Sequence, residues 1–139
     1  MQLTGAQLGD IIGDYTVLGE LGQGGMATVL KVEKVGSGEI RALKLMSPSS
    51  RDEEAHARFV SEFKVLSNLE HPNITRVFER GAHQSRAFFV MEFVDGMTLR
   101  DTMKHWQDKS PSERFAESER IITQVVQALA YIHDRGIVH

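Results

Sequence analysis

From residue 15 to residue 46 apolar and polar positions alternate, and beyond that they recur every three or four residues. The first pattern predicts strands and the second predicts helices. Strands are expected over 15–21, 29–35 and 40–46, the second rich in valine with Lys31 and Glu33 alternating. Gly36-Ser37-Gly38 supplies turn residues between the last two, and the glycines from Gly22 to Gly25 break the chain between the first two. This is a meander of antiparallel hairpins. Residues 1–13, with Gly5, Gly9 and Gly13, read as a loose tail.

Ala55, Phe59, Phe63, Leu66 and Leu69 then form a helical stripe, with Asp52, Glu53 and Glu54 at the end where a helix favours negative charge. Pro72 is expected to stop it. Two further strands are predicted over 74–78 and 88–94, with a turn from Gly81 to Ser85. Asp95-Gly96 marks a hinge. A short helix capped by Thr98 is expected to run to Trp106. The strongest helical pattern covers 117–134, where Ile121, Ile122, Val125, Val126, Leu129 and Ile132 make a broad apolar stripe and Gly136 a C-terminal stop. A stripe that wide calls for a thick partner layer.

Composition narrows the class. The 139 residues are 41% apolar and 25% charged, enough for a core, which argues against global disorder. A net charge of −3 suggests neither nucleic acid nor an anionic membrane as a partner. The absence of cysteine excludes disulfides and thiolate metal sites. No apolar run is long enough to span a membrane. Asp10 and Asp14 are foreign to a signal peptide, so a soluble, cytoplasmic chain is expected. The six histidines lack metal-ligand spacing, so no metal site is expected among them. Trp106 reads as a core or interface anchor, and Ser47 to Ser50 with Arg51 as a flexible loop.

Three features carry chemistry. The run Leu21-Gly22-Gln23-Gly24-Gly25-Met26-Ala27-Thr28-Val29 leads into a strand and not into a helix, unlike a dinucleotide fingerprint, and it lacks the Gly-Lys-Ser/Thr of a P-loop. A glycine turn between antiparallel strands can fold its backbone over a triphosphate. Lys44 shares a strand face with Ile40, Ala42 and Met46. Either it snorkels to the strand edge or it serves a phosphate. Glu62 falls in the helical stripe beside Phe59, Leu66 and Leu69, where it is either an edge charge or a carboxylate facing the core and needing a cation. Lys44 is the natural partner.

Together these runs resemble the eukaryotic-type (Hanks-type) protein kinases, most closely the bacterial serine/threonine kinases. The resemblance rests on residues 21–29, on Ala42-Leu43-Lys44, on Phe59-Val60-Ser61-Glu62, on His71-Pro72-Asn73-Ile74, on residues 89–96 and on residues 131–139, and it covers 14–139. It implies an α+β fold. A five-stranded antiparallel sheet with one helix would form an ATP-binding lobe over 14–94, and a hinge with the first helices of a second, incomplete lobe would follow over 95–139. It implies ATP as the ligand. Gly22 and Gly24, with Gln23 and Gly25, would cover the phosphates. Leu21, Val29 and Ala42 would enclose the adenine. Lys44 would grip the α- and β-phosphates and pair with Glu62. Met91 would be the gatekeeper, the backbone of Glu92 and Val94 would meet the adenine edge, and Thr98 would lie near the ribose. Ala27 replaces the third glycine of the loop, a small departure. His71 would pack structurally. His139 aligns with the histidine of His-Arg-Asp, so the base, the Mg²⁺ ligands and the activation loop are not expected within the chain. The implied function is the ATP-binding portion of a serine/threonine protein kinase, which passes the ATP γ-phosphate to protein hydroxyls with Mg²⁺, the chain being inactive by itself. The alternative is a non-catalytic half-kinase that binds ATP or docks to a partner; a dinucleotide-binding domain fits poorly.

Overall fold

The computed structural model describes residues 6–48 and 52–138. Gly5 of the expected tail, Ser49, Ser50 and Arg51 of the expected loop, and His139 lie outside the described residues. The chain forms two compact units. One runs to Glu70 and resumes over Thr75–Val94; the other comprises His71–Ile74 and the residues from Asp95 onward.

The first unit is an antiparallel sheet with one helix. Its strands are β1 (Ile11–Ile12), β2 (Tyr15–Gln23), β3 (Ala27–Lys34), β4 (Ile40–Met46), β5 (Val77–His83) and β6 (Arg86–Glu92), in the order β1-β2-β3-β4-β6-β5. Helix α1 (Glu53–Ser67) joins β4 to β5. Alternation along the strands sorts the core into two clusters. Leu30, Val32, Leu43, Leu45, Phe88 and Val90 bury themselves with Ile12, Tyr15 and Val17 on one face. On the other face Ala27, Met46, Val77 and Phe89 pack against Ala55 and Phe59 of α1. The Phe59 and Phe89 rings meet at 5.0 Å.

The sheet has six strands where the sequence suggested five. The extra one comes from the segment read as tail: Ile11 and Ile12 pair with Thr16 and Tyr15. Gly13 permits this reversal at φ 58°, and Ile12 is then fully buried. Burial of one isoleucine, worth about 1.5–3 kcal/mol, opposes the disorder that the neighbouring glycines favour. The β5–β6 hairpin also differs. Its turn is Gln84-Ser85, both at positive φ, and Gly81 lies inside β5. A Cβ at Gly81 would stand 2.6 Å from the Phe88 ring, so this glycine makes room for an aromatic side chain instead of marking a turn.

Asp52 caps α1, accepting a hydrogen bond from the Glu54 amide at 3.0 Å. The helix ends at Ser67 with Asn68 as its C-cap, before Pro72 is reached.

Tyr15 is buried, and its hydroxyl donates to Glu79 Oε1 on β5. Burial first, then the hydrogen bond and charge of Glu79, hold the phenol well above its usual range. The folded chain therefore keeps this proton where the unfolded chain, with a phenol pKa of about 10, loses it. Stability from this source is complete below about pH 10 and falls as the pH rises further, because the unfolded state then binds fewer protons. Urea midpoints measured from pH 8 to 11 are expected to show that decline and to lose most of it in Tyr15→Phe. An identical decline in both proteins would remove Tyr15 as its source.

The second unit holds α2 (Leu99–Lys104), a 3₁₀ turn at His105–Asp108 and α3 (Pro111–Asp134). Helix α3 starts six residues before the expected 117. Ser110 and Glu113 form a reciprocal capping box with Pro111 in the first turn. Gly136, at φ 73°, follows its C-cap. Ile132 is buried, whereas Phe115, Ile122, Val125 and Val126 are at least half exposed among the described residues. The rings of His71 and Tyr131 lie 5.0 Å apart within this unit.

Candidate nucleotide-binding site

The site residues of the first unit converge through strand register. Val29, Lys44 and Phe89 stand opposite one another on β3, β4 and β6. Lys31, Ala42 and Met91 form the next such row. With a side-chain period of two, both rows project from one face, the face against which α1 packs.

Glu62, three residues beyond the buried Phe59, brings its carboxylate Oε1 to 2.9 Å from Lys44 Nζ. The pair forms, but not buried as the stripe implied. The side chains are 27% and 44% exposed, because α1 buries its Ala55 and Phe59 and leaves Glu62 at the margin of the stripe. At such exposure the pair adds at most about 1 kcal/mol to stability. Its effect is to aim the ammonium. The same Nζ lies 5.6 Å from the centre of the Phe89 ring.

The glycine turn joins β2 to β3. The ladder persists to Gly22 opposite Val29 and Gln23 opposite Thr28, and the Gly24 amide donates to Ala27 O at 2.9 Å. The glycines start no helix. A Cβ on Gly22 or Gly25 would meet nothing within 4 Å, and one on Gly24 would make only ordinary contact with Ala27 O. None of the three has the left-handed backbone that favours glycine. The fold therefore has no steric need for glycine at these positions. What they leave is an exposed backbone with no side chains over it, which suits close approach by an anion. Leu21, beside them, is about half exposed.

Met91 is half-buried and packs against the cluster around Phe89. The Glu92 amide donates to Arg76 O at 2.7 Å, so any ligand contact by this backbone falls to its carbonyl. Val94 is exposed. Thr98 belongs to the second unit, where its hydroxyl accepts from the Asp101 amide at 3.2 Å and caps α2. Lys31 and Phe93, which the sequence places in a strand and in the hinge run without a site role, also meet on this face. Lys31 Nζ sits 4.9 Å from the centre of the Phe93 ring. Extending the alternation of β3 one step past Val29 would have put this second cation on the site face.

Among the described residues no group of three His, Asp or Glu side chains is placed to hold a metal ion. No described helix is long and apolar enough to cross a membrane.

Known proteins are similar to this chain. PknJ of Mycobacterium tuberculosis, a serine/threonine-protein kinase, is 34% identical over 132 residues, covering 94% of this chain and 22% of that protein. PknI of the same organism, also a serine/threonine-protein kinase, is 36% identical over 127 residues, covering 90% of this chain and 21% of that protein. A crystal structure of the PknI kinase domain superposes with a TM-score of 0.75 at 33% identity, over 96% of this chain and 53% of that one. The chain thus spans about a fifth of these relatives and about half of the solved kinase domain. Its sequence matches the protein kinase domain over residues 15–139, and the chain belongs to that family.

Proposed function

We propose that residues 14–94 bind ATP as the nucleotide-binding lobe of a serine/threonine protein kinase, residues 95–139 beginning a second lobe. The observation that carries this reading is the Lys44–Glu62 contact of 2.9 Å on the sheet face shared with Val29 and Ala42. Lys44 supplies a cation for the α- and β-phosphates, and Glu62 keeps it pointed there. The backbone amides of residues 22–25 cover the phosphates. Leu21, Val29 and Ala42 give an apolar surface for the adenine, Met91 limits the depth of the pocket, and the Glu92 carbonyl and Val94 amide meet the edge of the base. The parent protein would pass the γ-phosphate to serine or threonine hydroxyls of a protein substrate. To these 139 residues we assign the nucleotide-binding part of that activity. A cytoplasmic location accords with this role.

Displacement of a fluorescent ATP analogue by ATP and by inorganic tripolyphosphate tests the assignment. Saturable binding is expected, with a dissociation constant on the order of 0.1–1 mM, the weak end of ordinary substrate affinity. No saturable signal at several millimolar would sink it. Incubation with Mg·ATP and a basic protein should give no Lys44-dependent phosphorylation, and its appearance would overturn the restriction to binding.

A further inference from the structure

We propose that Lys31, acting through the ring of Phe93, is a positioning residue that sets the backbone of residues 93 and 94 to receive a purine base; this rests on the nucleotide assignment of the same sheet face. Strand β6 ends at Glu92, whose amide is fixed by Arg76 O at 2.7 Å. The chain then leaves the ladder. Val94 is 63% exposed, so its side chain has little to hold it. Phe93 is half-buried, with Lys31 Nζ 4.9 Å from its ring centre. That separation is within the roughly 6 Å reach of a cation–π contact. Lys31 enters none of the ion pairs among the described residues, so no carboxylate competes with the ring for it. Its row on the sheet holds Ala42 and Met91, both assigned to the base, whereas Lys44, assigned to the phosphates, lies one row away beside Val29. Lys31 is therefore placed to govern the base end of a nucleotide and Lys44 its phosphate end. Holding the Phe93 ring restricts the backbone on either side of it, so a ligand finds the Val94 amide already oriented and loses less affinity to ordering it.

The experiment measures ATP and inorganic tripolyphosphate affinities of the whole chain for wild type, Lys31→Ala, Lys31→Arg, Phe93→Leu and the Lys31→Ala/Phe93→Leu double variant, with thermal unfolding of each. Lys31→Ala is expected to weaken ATP roughly two- to fivefold, the scale of one exposed cation–π contact, and to leave tripolyphosphate unchanged. Lys31→Arg should retain wild-type ATP affinity. In the Phe93→Leu background Lys31→Ala should cost nothing more, since the two act as one unit. Equal ATP affinity in wild type and Lys31→Ala would overturn the inference. So would a parallel loss of tripolyphosphate affinity, which would make Lys31 a simple phosphate-attracting charge. If wild type binds neither ligand, the nucleotide assignment fails and takes this inference with it; if wild type binds both and the Lys31 variants match it, only the inference fails.

Discussion

Lys44→Met is expected to weaken ATP binding roughly 10- to 100-fold while leaving the unfolding transition nearly where it was. The first part follows from the loss of a charge-assisted hydrogen bond, worth about 1.5–3 kcal/mol to an ionised partner. The second follows from exposure. Lys44 and Glu62 are 27% and 44% exposed, so breaking their contact costs the fold about 1 kcal/mol or less, and the abandoned carboxylate is hydrated. Methionine keeps most of the length of the side chain and its packing over Phe89, which lies opposite on β6. Glu62→Gln should act more mildly, because an amide oxygen can still accept from Nζ but no longer holds it by charge; a loss of about two- to fivefold is expected. Calorimetric titration beside urea unfolding separates the two quantities. A Lys44→Met protein that binds ATP as wild type does would remove Lys44 from the site. One that loses several kcal/mol of stability would make the pair a structural support, against its exposure.

Local spacing and register make this pair legible in the sequence alone. Lys44 stands out as a charge on an alternating apolar strand, and Glu62 as a charge near an apolar helical stripe; each pattern implies a partner of opposite sign. The degree of burial did not follow, because a helical wheel gives direction and not depth, and depth depends on where α1 settles on the sheet. Strand β1 escaped for a related reason. Two isoleucines are too short a run to show a period, and their pairing is fixed by the Gly13 reversal and by the space beside Phe88 in the core. Gly81 misled in the opposite direction. Glycine is a turn signal in sequence, but here it answers to the Phe88 ring, a contact across two strands. The early start of α3 was readable, since Ser110-Pro111 with Glu113 is a local capping signal, but it was outweighed by the later apolar stripe. Lys31 lies in a strand pattern and Phe93 in the hinge run 62 residues later, so only the folded sheet shows their contact.

Phe89→Ala is expected to remove both stability and nucleotide binding, and it couples the two effects that Lys44→Met keeps apart. Phe89 is 1% exposed and touches both layers of the first unit. Its ring lies 5.0 Å from that of Phe59 and 6.1 Å from that of Phe63, both on α1, and beneath the Lys44 ammonium at 5.6 Å. Truncating a buried phenylalanine costs about 3–5 kcal/mol through lost transfer energy and the cavity left behind. Against a typical domain stability of about 5–15 kcal/mol, that is a large fraction of the whole. Glu62 sits on α1 between Phe59 and Phe63, so loosening the helix from the sheet also carries the carboxylate away from Lys44. The urea midpoint should therefore fall steeply, and ATP affinity should fall with it even under conditions where the chain remains folded. Phe89→Leu refills most of the space with apolar volume. It should recover much of the stability and, because α1 again has a surface to pack on, most of the binding. If Phe89→Ala lowers stability but binds ATP normally while folded, Lys44 is held by something other than the seating of α1, and the link from aromatic core to phosphate cation is broken. If its urea midpoint does not move, the cluster of Phe59, Phe63 and Phe89 is not what joins the helix to the sheet.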